Sequence, residues 1–218
     1  MHFQSANLQW LYGDGFDPND EHKHIITFEY VQTNAVGDVF LFADSSRPFS
    51  GNTGWYGELA PRISLSSLTD KGSSAGLVKD VLLAANFEKP EGRDIRRLFG
   101  LAADLNVPGF TFFKTHAYHR DDPALPGDTW QLTLVWNASF TLGNLNLLAE
   151  GFADVAGGEG DGVAHQLVVP RLLANAGKLL GAKSGKLYAG IEFSYWHNKF
   201  GIDGMTESVP QLQLKWVL

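Results

Sequence analysis

The chain has 218 residues, with 17 Lys and Arg against 24 Asp and Glu and a net charge of −7. That balance excludes a nucleic-acid backbone as partner, because phosphate binding needs clustered cations. The absence of Cys excludes disulfides, thiolate metal sites and Cys nucleophiles together. No apolar run reaches the ~18 residues of a membrane-crossing helix, which leaves strands as the route through a bilayer.

In chain order, strand-like segments separated by turn residues lie near 7–13, 24–33, 38–45, 54–66, 77–88, 96–106, 110–120, 128–140, 144–154, 162–173, 186–198 and 206–218. Their number is even, as bacterial single-chain membrane barrels require. The clearest alternation runs through Trp130–Phe140. Trp130, Leu132, Leu134, Trp136, Ala138 and Phe140 share one face, and Gln131, Thr133, Val135, Asn137 and Ser139 share the other. Such a strand shows lipid an apolar face with aromatic ends and shows the lumen a polar one. The predicted fold is therefore all-β, a monomeric antiparallel transmembrane barrel of about 12 strands forming one domain over residues 1–218.

Residues 34–37, 107–109 and 141–143 read as tight turns, while 13–23, 46–53, 121–127, 155–161 and 199–205 read as longer polar links. Short turns at one rim and long loops at the other predict both termini at the short-turn rim. Links 67–76 and 174–185 are long where short turns belong, and Leu172–Leu180 is patterned as a short amphipathic helix. Met1-His2-Phe3-Gln4 has no basic or apolar leader segment, so the expectation for an exported protein is a mature chain in the bacterial outer membrane.

Charge sets the register. Tyr56, Glu58, Ala60, Arg62, Ser64 and Ser66 share a face, and turning Arg62 toward lipid would cost ~2–4 kcal/mol near the midplane. That face is predicted to line the lumen, and the same test places Glu29, Asp44, Asp104, Lys114, His116, Glu150, Glu192 and Lys215 inside. Pro61 and Pro170 fall within strands, against the usual confinement of Pro to edges, and a bulge or bend is expected at Pro61.

Several motifs occur in order along the chain: Phe28-Glu29-Tyr30, Gly37–Asp44, Phe49-Ser50-Gly51-Asn52, Glu58–Ser64 with Leu68-Thr69, Gly100–Leu105, and Tyr195-Trp196-His197. Together they resemble the nucleoside-specific channel-forming outer-membrane proteins, the Tsx-like family. The resemblance implies a narrow twelve-stranded barrel that passes nucleosides, with outer-membrane lipid and lipopolysaccharide around it and phage or colicin as further partners. In place of the family's terminal aromatic residue the chain ends in Leu218.

A nucleoside joins a flat uncharged base to a polyol, so a selective lumen needs rings for stacking and carboxylates or amides for hydroxyls. The predicted lumenal candidates are Phe40, Phe42, Tyr56, Phe112, Tyr118, Tyr188 and Trp196 for stacking, with Glu29, Asp44, Glu58, Arg62, Glu192 and Asn198 for polar contacts. Glu58 and Arg62 lie about 13 Å apart at ~3.3 Å per residue and cannot pair with each other. Each either touches solute or belongs to a structural ladder of ion pairs, and Trp196 suits either a stacking role or an interfacial girdle.

No motif calls for a cofactor or metal. His116 and His119 face opposite sides of one strand, and the Gly-rich acidic stretches 14–20 and 157–162 lack EF-hand spacing. Arg93–Arg97 places three Arg at a rim, within reach of lipopolysaccharide phosphates or simply of water. A channel for small polar solutes is the leading expectation, and a receptor or structural barrel recognised through its loops is the alternative. An enzyme is not expected, because no Ser, His and acid converge on the outer face.

Overall fold

A computed structural model describes residues 3–18, 21–48, 53–69, 76–179, 181 and 185–218. The strands are β1 (Phe3–Phe16), β2 (Glu21–Thr33), β3 (Gly37–Pro48), β4 (Gly54–Ser64), β5 (Val78–Pro90) and β6 (Arg96–Leu105), followed by β7 (Phe112–Asp121), β8 (Thr129–Leu142), β9 (Leu145–Ala156), β10 (His165–Asn175), β11 (Leu187–His197) and β12 (Thr206–Val217). Each pairs antiparallel with its sequence neighbours, and β1 pairs with β12 to close the barrel. Closure leaves no open edge, so backbone groups at membrane depth find partners within the sheet.

The alternation read from sequence decides which face is which. Along β12, Leu212, Leu214 and Trp216 are exposed while Glu207, Gln211, Gln213 and Lys215 are buried inside. Leu8, Ile26, Leu59, Ile63, Leu83, Leu101, Leu132, Leu134, Leu172 and Ile191 continue the exposed apolar surface around the barrel. Trp55 and Trp130 sit near the starts of β4 and β8, and Trp216 near the end of β12, as aromatic anchors at the two edges. The arrangement inverts that of a water-soluble barrel, with apolar side chains outside and charged ones inside.

All twelve predicted strands are present, but the connections differ from expectation. At the rim away from the termini, the links are 17–20, 49–53, 91–95, 122–128, 157–164 and 198–205. The two longest connections, 65–77 and 176–186, lie at the terminal rim, the two places where the sequence already reads as too long for tight turns. The predicted rule fails because β1, β2 and β3 continue upward as polar ladder. Asp14, His22 and Arg47 sit exposed on the outward face of those strand ends, where polar composition no longer marks a loop.

The predicted helix at 172–180 shrinks to α2 (Ala176–Leu179), because β10 runs on to Asn175; α1 (Leu65–Thr69) occupies part of the other long link. Pro61 and Pro170 make no bulge. Pro61 pairs in register with Val39, and Pro170 with Gly151, while the missing N–H falls on the β5 and β11 sides, where each ladder lacks two consecutive pairs. The motif Phe49–Asn52 lies outside the described residues.

Candidate functional site

The lumen holds three networks of charge. Near mid-barrel, Arg171 on β10 donates to Glu192 on β11 at 2.5 Å and to Glu29 on β2 at 3.0 Å. Lys215 on β12 lies 2.5 Å from Glu150 and 3.7 Å from Glu29. Asn7, Asn137 and Gln211 donate to Glu29, Glu150 and Glu192 in turn. Since β11, β12 and β1 separate β10 from β2, the Arg171–Glu29 pair bridges the lumen.

A second network joins Arg62 on β4 to Asp38 on β3 and Asp104 on β6, at 2.9 Å and 2.7 Å, with Lys114 3.7 Å from Asp38. Arg62 is almost wholly buried. A third lies toward the loop rim, where Arg96 pairs with Asp122 at 2.6 Å and Arg120 with Glu88 at 3.3 Å. Here the 157–164 connection folds into the mouth. Its Glu159 is only 7% exposed, lies 3.4 Å from Arg120 and accepts the Asp122 backbone N–H at 2.6 Å. Burial raises the Glu159 pKa above the ordinary carboxyl value. Lys199 and Glu207 form a further buried pair beneath the 198–205 link, with Lys199 also donating to the Asp17 carbonyl at 3.0 Å.

The β3–β4 wall is different. Phe42 faces Glu58 and Asp44 faces Tyr56 across the ladder, all on the lumenal side. The Phe40 and Phe42 rings are 6.5 Å apart, and the Phe42 and Tyr56 rings meet edge-on at 6.2 Å. Glu58 accepts from the Tyr56 hydroxyl at 2.7 Å and from Asn86 at 3.2 Å, and Asp44 accepts from the Thr27 hydroxyl. On the opposite wall Asp154 on β9 accepts from Thr133 and Gln131. Among the described residues, no Lys or Arg forms an ion pair with Asp44, Glu58 or Asp154.

The predicted site residues thus separate. Phe40, Phe42, Asp44, Tyr56 and Glu58 come together on one wall. Glu29 and Glu192 are tied into the Arg171 network, and Arg62 is a brace. Trp196 lies opposite Leu167 and Glu207 on the lumenal face, packed edge-on to Phe200 at 4.7 Å under the 198–205 link, which removes it from the interfacial girdle. Asn198 is a correction: it lies past the end of β11 with a left-handed backbone (φ 51°), not in the lumen. Its amide donates to the Ala164 carbonyl and its side-chain oxygen accepts from Gly204, so it ties two links together.

Of the remaining predicted rings, Tyr118 stacks on His116 within an apolar lumenal cluster with Leu82 and Leu98. The three-Arg patch is also split. Arg96 turns inward to Glu88 and Asp122, and Arg97 turns outward to Asp121 at 3.5 Å. Sequence reasoning misses Arg171 and Asp154. Asp154 is readable, because two-residue steps from the inward Glu150 reach it; Arg171 follows Pro170, which obscures the alternation.

No protein-family model matches the sequence, and no curated protein does. Solved structures are similar in fold. The KdgM porin superposes with a TM-score of 0.55 at 8% identity, over 97% of this chain and 98% of that one. A bacterial polysaccharide outer membrane secretin reaches 0.46 at 9% identity, over 99% and 98% of the two chains. OccK11 (OpdR) of Pseudomonas aeruginosa reaches 0.45 at 11% identity, over 100% and 96%. The class defined by the closed sheet and the KdgM likeness is the twelve-stranded antiparallel transmembrane β-barrel, with a porin-like fold.

Proposed function

We propose that the protein is a monomeric channel of the bacterial outer membrane that passes nucleosides or similar small polar solutes. The observation carrying this is the β3–β4 wall, where rings alternate with carboxylates that pair with no Lys or Arg among the described residues. A base stacked on Phe42 or Tyr56 gains ~1–3 kcal/mol. Each carboxylate offers about four acceptor positions. Glu58 uses two of them within the protein, and the sugar hydroxyls donate to the others. A site of about −4 kcal/mol is millimolar, weak enough for solute to leave.

The Tsx-like resemblance supports the same residues, since Asp44 and Glu58 belong to the motifs that carry it. The excess of lumenal carboxylates also favours an uncharged nucleoside over its phosphorylated form. A receptor for phage or colicin finds less support, because the links at the far rim are only four to eight residues long. The test is single-channel conductance of the refolded barrel, titrated with adenosine and thymidine against a glucose control. Current blocked by nucleosides and not by glucose is the expected result; current indifferent to nucleosides removes the substrate, and insertion without current removes the channel.

A further inference from the structure

Two walls of the lumen differ in the room they leave. Gln9, Leu11, Leu173, Val209, Gln211 and Gln213, on β1, β10 and β12, are buried and fill the lumen on their side. Phe40, Phe42, Asp44, Tyr56 and Glu58 are only half-buried, so the free part of the lumen runs along β3 and β4. Glu29 stands at the edge of that passage, directly opposite Phe42 across the β2–β3 ladder.

Arg171 closes the passage there. It reaches from β10 to a carboxylate four strands away and donates to it at 3.0 Å. The two side chains are only 10% and 14% exposed, so water scarcely reaches them from either mouth. A nucleoside, far larger than water, cannot pass that level while the pair is closed. A second tie crosses from Lys114 on β7 to Asp38 on β3, but it is looser. At 3.7 Å, and with Lys114 22% exposed, it leaves water a way past.

The first tie can break without stranding a charge. Glu29 would keep Asn7 at 3.1 Å and Lys215 at 3.7 Å, on β1 and β12 beside its own strand. Arg171 would keep Glu192 at 2.5 Å and Glu150 at 3.9 Å, each directly opposite it on a flanking strand. Breaking a buried ion pair is expensive mainly because a bare charge is left behind, and here neither partner is left bare. The lumen therefore has a closed arrangement and an open one that differ by a single bridge.

Resting on the channel reading, we propose that Glu29 and Arg171 form a latch across the lumen, and that solute passes only when Glu29 falls back on Asn7 and Lys215. The latch sets the largest solute admitted. Glu29 is thereby a specificity-determining residue that selects by size, while the rings beside it select by stacking.

The experiment is single-channel conductance of the refolded barrel in a planar bilayer, joined to swelling of proteoliposomes in neutral sugars of increasing size. Wild type should pass a small current and exclude the trisaccharide raffinose. Glu29→Ala should raise the conductance several-fold and admit raffinose. Glu150→Ala removes the same charge from the same network without touching the tie, and should keep the wild-type conductance and cut-off. Heat-modifiable migration on gels checks that each variant is folded. Should Glu29→Ala not fold, Glu29→Asp keeps the charge, draws the carboxylate back from Arg171 and should raise the conductance in the same direction. A folded Glu29 variant with wild-type conductance and cut-off overturns the latch while the channel stands. So does an equal rise in Glu150→Ala, which would trace the change to a loosened brace. Insertion of wild type and variants alike without current overturns the channel and the latch with it.

Discussion

Around Arg171, the carboxylates Glu29, Glu150 and Glu192 end on guanidinium or ammonium groups, whereas on the β3–β4 wall Asp44 and Glu58 end on hydroxyls and an amide. Both walls are charged, but they do different work. A barrel with lipid outside has little apolar burial to gain from its own outer face, so buried ion pairs and a small cluster of Leu82, Leu98 and Tyr118 brace it from within. A wall whose carboxylates remain uncompensated contributes little bracing and keeps its acceptors for solute. Arg62 and Glu58 show the contrast on one strand: the first is clamped between Asp38 and Asp104, and the second lies opposite Glu88.

The sharpest way to break this contrast is Arg171→Met. It leaves Glu29 and Glu150 with Lys215 alone and Glu192 with only the Gln211 amide, and removing one partner of a buried pair costs ~3–5 kcal/mol. Urea unfolding in lipid vesicles should show that loss. Leu212→Arg, in the middle of β12, places a charge against lipid and should cost ~2–4 kcal/mol in the same assay. Its effect should shrink toward the strand ends, where water is nearer. On the other wall, Phe42→Ala should weaken nucleoside block by the ~1–3 kcal/mol of one stacked base. Glu58→Gln should change stability by less than ~1 kcal/mol, because an amide oxygen still accepts from Tyr56 and the like-charge contact with Glu88 is relieved. Nucleoside block in that variant should nonetheless weaken several-fold, which separates the two walls by function as well as by stability.

Strand number, register and lumenal face are legible because the lipid face tolerates no charge, so one inward Arg or Glu sets the direction of a whole strand. Arg62 does this for β4 and Lys215 for β12. Partners are not legible, since Arg171 and Glu29 stand far apart in the chain and meet only across the closed barrel. Nor can residue type separate Glu58 from Glu192. Both are inward carboxylates on alternating strands, and only the neighbouring cation distinguishes a brace from a free acceptor. Asn198 is misplaced for a simpler reason: β11 stops at His197, and one residue of overrun moves it from a link into the lumen.

The smallest expected effect concerns the mouth. Glu159 reaches from the 157–164 link toward Arg120 and the Asp122 N–H, and burial raises its pKa. A carboxyl whose pKa is higher when the link is seated than when it is released binds its proton better in the seated state. Seating is therefore favoured most at acidic pH and loses that advantage as pH rises through the raised value. The ion pair with Arg120 opposes this, being strongest when Glu159 is charged, but the upward shift means that burial outweighs it. Brief closures in single-channel current should thus become more frequent as the pH falls from neutral, and Glu159→Gln should flatten that dependence. Closures that instead grow more frequent with rising pH would mean that the pull of Arg120 outweighs burial, turning the mouth from a burial-controlled contact into another brace of the kind found around Arg171.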